Sequence, residues 1–187
     1  EILVIGLALF LGPHLVPTMP ALRNSLFQRY GEKRYKGVFS ALAALGLVLI
    51  VIGYARAPGG PLLFPPVPGA IALAPFAMFA SFVLLAAANM RTHLRHTVRH
   101  PMLIGVAIWA LVHLLANGNA RATLLFGAFL AYAVVDIVSA TRRHAVKAFT
   151  PSAKQDAMAI AGGIALALLV MAFHRQLFGV RALAWGF

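Results

Sequence analysis

The sequence predicts an all-α integral membrane protein, a bundle of about six transmembrane helices with both termini on the non-cytoplasmic side. Three observations carry that expectation. Of the 187 residues, 61% are hydrophobic and 11% charged, with a mean hydropathy of +0.87. That is too little charge to cover a soluble domain of this size. The apolar residues gather into six runs close to the roughly 20 residues that a bilayer-spanning helix needs. The basic residues gather in clusters between those runs, mostly on one side. No strand-like alternation is sustained, so a β-barrel is not expected.

The six runs are Ile2–Val16, Val38–Tyr54, Ile71–Ala88, Met102–Ala116, Ala122–Val138 and Ala157–Phe173. The first lacks the basic leader and small-residue cleavage site of a secretory signal, so it reads as a retained span. Small residues inside the runs, such as Ala43, Ala44 and Gly46 or Ala161, Gly162 and Gly163, suit close approach of helix backbones. One domain, residues 1–187, is expected. The connection Ala57–Gly69 carries Pro58, Pro61, Pro65, Pro66 and Pro68 and should be an extended, non-helical crossing.

Charge sets orientation and removes several function classes. Twelve of the sixteen Lys and Arg residues fall in the three connections after runs one, three and five. They are Arg23, Arg29, Lys33, Arg34 and Lys36; then Arg91, Arg95 and Arg99; then Arg142, Arg143, Lys147 and Lys154. Positive-inside bias places these in the cytoplasm. The net charge of +12 is thereby explained without nucleic acid, which is not an expected partner; the expected partner is the lipid bilayer. The absence of cysteine excludes disulfides, zinc fingers and thiolate-ligated iron.

An ionisable residue inside a span is costly and is a functional candidate by default. Three stand out: His14, His113 and Asp136. Asp136 lies one to two turns before Arg142 and Arg143, which suits an interfacial ion pair; with Glu1, Glu32 and Asp156 the only other acids, a proton pump is not indicated. His14 and His113 are lone histidines among aliphatic residues. Two such imidazoles on two helices suit haem iron in a bundle, and they equally suit hydrogen bonds to helix carbonyls. Between runs three and four, His93, His96 and His100 recur at helical spacing beside Arg91, Arg95 and Arg99. A basic interfacial helix gripping anionic headgroups is favoured there over a metal site. His100 precedes Pro101, which suits the first turn of the next helix, and could reach a polar ligand edge beside Arg99.

These residues also carry a family resemblance. Arg99–Gly118, RHPMLIGVAIWALVHLLANG, resembles the central signature of the NnrU membrane family. PheLeuGlyProHis at Phe10–His14, GEKRYKGVFSALAALGLVLIVIGY at Gly31–Tyr54 and LLFGAF at Leu124–Phe129 fit the same pattern. The superfamily includes ζ-carotene isomerases, membrane haem b enzymes that isomerise a cis double bond. Bacterial NnrU proteins are linked to denitrification. The resemblance implies haem b held by His14 and His113 as iron ligands, with Arg99 and His100 at the cofactor's edge. Ala110 stands where the plant enzymes have a cysteine, so a cysteine-for-histidine ligand exchange is excluded.

The function so implied is isomerase or redox chemistry on a lipophilic substrate, carotenoid or quinone-like, in the bacterial cytoplasmic (inner) membrane. Two alternatives stand beside it. One is a non-enzymatic accessory protein for nitrite and nitric oxide reduction, working with denitrification reductases. The other is a structural membrane subunit whose histidines only hydrogen-bond within the bundle. Transport is disfavoured by the low polar content of the runs.

Overall fold

In a computed structural model, described for residues 1–145, 148–179 and 182, every apolar run forms a helix and no strand occurs among the described residues. Lys147 and Arg181 lie outside the described residues. The chain divides into two compact units, Glu1–Gly59 and Gly60–Phe187.

The first unit holds α1 (Ile2–Leu15), a single 3₁₀ turn (Val16–Thr18), α2 (Pro20–Tyr30) and α3 (Glu32–Arg56). Pro17 and Pro20 interrupt the chain, and α2 leaves the line of the preceding helix at 102°; proline removes the amide that would continue the ladder. A glycine then ends α2, because the turn into α3 needs φ +78° at Gly31, a region open to glycine at little cost. The α1–α3 interface is a backbone seam. A Cβ on Gly6 would stand 2.6 Å from the Ile50 amide nitrogen, one on Gly46 2.5 Å from that of Phe10, and one on Gly53 2.5 Å from that of Leu3. Only hydrogen fits at these positions. In lipid, where apolar burial gives helices no drive to associate, such close packing provides the attraction.

The second unit holds α4 (Pro68–Ala87), α5 (His93–Val98), α6 (Pro101–Asn117), α7 (Ala120–Arg142), α8 (Ala153–Ala172) and α9 (His174–Phe178). Helix α6 packs between α4 and α7, and α8 lies on another face of α4. Ala70, Met78 and Val112 form a buried cluster, with Phe82, Trp109 and Leu115 packed on it. Two features bring these helices close. Gly105 of α6 approaches the Ser81 carbonyl, and Ser81 Oγ donates to Gly105 O at 2.8 Å. Gly163 of α8 lies against the backbone of Val83, whereas Gly162 faces open space. Of the small-residue stretches expected to mediate packing, Gly46 and Gly163 do so at backbone contact.

Residues 57–67 are non-helical, as the prolines require, and Pro68 instead opens α4. The segment is pinned to the far end of α6: Leu63 N donates to Gly118 O at 2.8 Å and Val67 N to Leu115 O at 2.9 Å. At the opposite end the α4–α5 link is clasped to α8. Ser152 N donates to Arg91 O at 2.8 Å, Arg91 N to Gln155 Oε1, and His93 N to Asp156 Oδ1 at 2.8 Å. The helices of this unit therefore alternate in direction, with Arg91, Arg99, Arg142 and Lys154 gathered at one end.

The architecture is a helical membrane bundle. Helices α3, α4, α7 and α8 are long and apolar enough to cross a bilayer, and the bent α1–α2 pair would add a fifth. Helix α6 is apolar but has 17 residues, about 25 Å of rise, at the lower edge of spanning length. Large apolar side chains such as Leu45, Val48, Leu166 and Leu169 are exposed on α3 and α8, the surface expected to face lipid.

Candidate functional site

Each span histidine is set by its own helix. In α1, Pro13 and the chain's turn away at Val16 leave His14 on the last turn, where its Nδ1 lies 2.6 Å from Phe10 O. In α6, His113 Nδ1 lies 2.8 Å from Trp109 O. A carbonyl can only accept, so in both rings Nδ1 is the donor. Metal-ligating histidines use this arrangement, one ring nitrogen donating to a carbonyl while the other binds the ion. A hydrogen bond to a helix carbonyl therefore accounts for Nδ1 of each ring.

Both rings sit in aromatic surroundings. His14 stacks on Phe10 at 4.5 Å between centroids and meets Phe39 of α3 at 4.8 Å. His113 meets Phe126 of α7 at 4.8 Å and Trp109 at 5.5 Å, while Trp109 contacts Phe126 and Phe129 edge-on. A second imidazole, His174, lies near parallel to His113 at 6.5 Å. His174 lies one residue beyond the sixth apolar run, where an interfacial histidine draws no notice in the sequence. Its partner is brought to it by the fold.

Asp136 is held as expected, with Arg143 Nη2 at 3.4 Å from Oδ1 and the Tyr132 hydroxyl donating to Oδ2 at 3.2 Å. The histidines of the connection separate. His93 pairs with Asp156 at 2.5 Å, and His96 lies edge-on to Phe149. Among the described residues, no three His, Cys, Asp or Glu side chains gather to hold a metal ion.

Arg99 and His100 lie elsewhere than His113. His100 occupies the N-cap position of α6, its side chain making no capping hydrogen bond, and the thirteen-residue rise from there to His113 is about 20 Å. They line two clefts at the basic end of the unit. One, of about 170 Å³, is formed with Ala140, Thr141 and His144. The other, of about 150 Å³, is formed with Ala88, Arg95, Pro101, Met102 and Leu103. Burial pushes the His100 imidazole below its ordinary pKa of 6.5; Arg99 and Arg143 act in the same direction and Asp136 opposes them.

A family model described as NnrU protein matches residues 2–182. The chain belongs to the NnrU family. The match takes in both units, so each histidine and the Arg99–His100 cleft belong to NnrU sequence. No curated protein and no solved structure matches the chain.

Proposed function

We propose that this NnrU-family membrane protein binds haem b through the histidines of its apolar helices, His113 and His14 each being a lead candidate for an iron ligand. The observation that carries the reading is the shared imidazole arrangement. Each ring gives its Nδ1 proton to a helix carbonyl, the orientation in which a metal-ligating histidine turns Nε2 toward the ion. Aromatic and aliphatic neighbours would exclude water and hold a flat, apolar macrocycle. Bound haem would supply electrophilic or one-electron iron chemistry.

The chain's own part is to orient and to keep dry. Trp109 and Phe126 fix the plane of His113, and the hydrogen bond to Trp109 O sets which nitrogen can ligate. Asp136, a carboxylate within α7, is engaged with Arg143 and Tyr132 and lies ten residues, about 15 Å of helix, from Phe126. The reaction this reading assigns is redox or isomerase chemistry on a lipophilic substrate, with no carboxylate of α7 placed beside His113. An inner-membrane location and a basic cytoplasmic face accompany this proposal.

The test is optical. Protein purified in detergent from haem-replete cells is expected to show a Soret band that shifts on reduction, and His113→Ala is expected to abolish it. His14→Ala should do the same if His14 is the second ligand; retention of the band would leave His174 as the partner to examine. Protein free of haem under those conditions overturns the proposal. The alternative of accessory service to nitrite and nitric oxide reduction is read in a deletion strain, where normal reduction of both would oppose it.

A further inference from the structure

Arg99, with φ 63°, and His144, with φ 50°, are the two non-glycine residues of positive φ among those described. Both line the same cleft. Positive φ is unfavourable for residues with a Cβ, and it persists where the surroundings determine the backbone and often where function uses it. Here the effect is to bring the α5–α6 turn and the end of α7 together with basic side chains on either side.

The cleft's lining is chemically one-sided. It offers a guanidinium, two imidazoles and the Thr141 hydroxyl, and no carboxylate. Among the described residues Arg99 has no ion-pair partner. Asp136, whose charge His100 senses, is engaged by Arg143. At about 170 Å³ the space is several times the roughly 30 Å³ share of one water in the liquid, enough for a tetrahedral oxyanion. The adjoining cleft shares Arg99 and His100 and adds Arg95 and the first turn of α6. A helix leaves its first-turn amides without intrahelical partners, and the positive end of its dipole lies there.

We propose that the Arg99–His100–Thr141–His144 cleft binds a phosphate group, carried by an anionic lipid headgroup or by free inorganic phosphate. Arginine meets phosphate oxygens in a two-pronged fork, and the hydroxyl and imidazoles donate to the remainder. The site lies about 20 Å along α6 from His113, and phosphate binding there is testable on protein without haem.

The experiment has two arms on the 187-residue chain in detergent. One titrates inorganic phosphate and reads thermal stability. The other adds phosphatidylglycerol, with net-neutral phosphatidylcholine as control, and counts retained lipid by native mass spectrometry. Phosphatidylglycerol retention alone identifies the headgroup, and a response to inorganic phosphate identifies the group itself; either supports the site. Arg99→Gln is expected to weaken binding about tenfold, the loss of one charge-assisted contact. Arg175→Gln, at the other end of the unit, should leave binding unchanged. If Arg99→Gln fails to fold, judged by helical circular dichroism, His144→Gln carries the same test. Binding of neither probe, or equal binding by wild type and the cleft variants, overturns the proposal.

Discussion

The two units each hold one histidine on an apolar helix, and they secure it differently. Around His14 the local pattern is an aromatic residue, then histidine four positions later, then a phenylalanine from the next helix: Phe10, His14, Phe39. Around His113 the pattern repeats as Trp109, His113, Phe126. The similarity ends at the helix interfaces. The first unit joins α1 to α3 by a glycine seam, backbone against backbone, and its histidine stands where the chain bends. The second unit wedges α6 between two helices, adds a buried hydroxyl bond, and brings up a second imidazole. A histidine anchored to its own i−4 carbonyl is a local device that works in either setting, whereas its neighbours are a property of the packing around it.

The sharpest way to break this comparison is to fill the seam. Gly46→Leu should separate α1 from α3, because its Cβ alone would meet Phe10 N at 2.5 Å. Overpacking of this kind costs about 3 kcal/mol, measured by unfolding of the detergent-solubilised protein. Gly162→Leu is the matched control. Nothing lies within 4 Å of its added Cβ, so a change within about 0.5 kcal/mol is expected. Equal effects at the two sites would mean that the seam does not hold the first unit together.

A smaller effect sharpens the other half. Ser81 is fully buried and donates to the Gly105 carbonyl, tying α4 to α6 some two turns from His113. Ser81→Ala should cost about 1 kcal/mol, the usual worth of one interhelical hydrogen bond in a membrane protein. The same measurement reads it. Stability unchanged in Ser81→Ala would assign the α4–α6 contact to close packing at Gly105 alone, making the second unit more like the first.

Hydropathy made the helices legible because in lipid the backbone must bond to itself, and an apolar run of sufficient length has few other options. It made His14 and His113 legible for the same reason: an imidazole stands out in such a run. It did not reveal α2, whose polar composition and opening proline read as a loop; the proline occupies the first helical position, where its missing amide costs nothing. Nor did it reveal His174 beside His113, since that pairing depends on where α8 ends relative to α6. The cleft was half legible. Arg99 and His100 were visible as a basic pair before a proline, but a positive φ at Arg99 and His144 has no sequence mark when the residue is not glycine. Their distance from His113 followed only once α6 was seen to run unbroken between them.

The least of the expected effects concerns pH and lies wholly in the second unit. His100 is pushed below 6.5 chiefly by burial, then by the positive charges of Arg99 and Arg143, with Asp136 opposing. Above about pH 6.5 the ring is neutral in both folded and unfolded chains, and the fold bears no cost. As the pH falls below that value, the unfolded chain takes up the proton first. Stability should therefore decline on acidification, until the folded imidazole also titrates. Because His100 is only partly buried, the decline should be gentler than the loss in Ser81→Ala. His100→Gln should flatten this part of the profile. A stability curve between pH 7 and 5 that is identical in wild type and variant would show that His100 is solvated as fully in the folded chain as in the unfolded one. Phosphate in the cleft would add to the contrast, since an anion beside the ring favours its charged form and should make the acid side of the curve shallower.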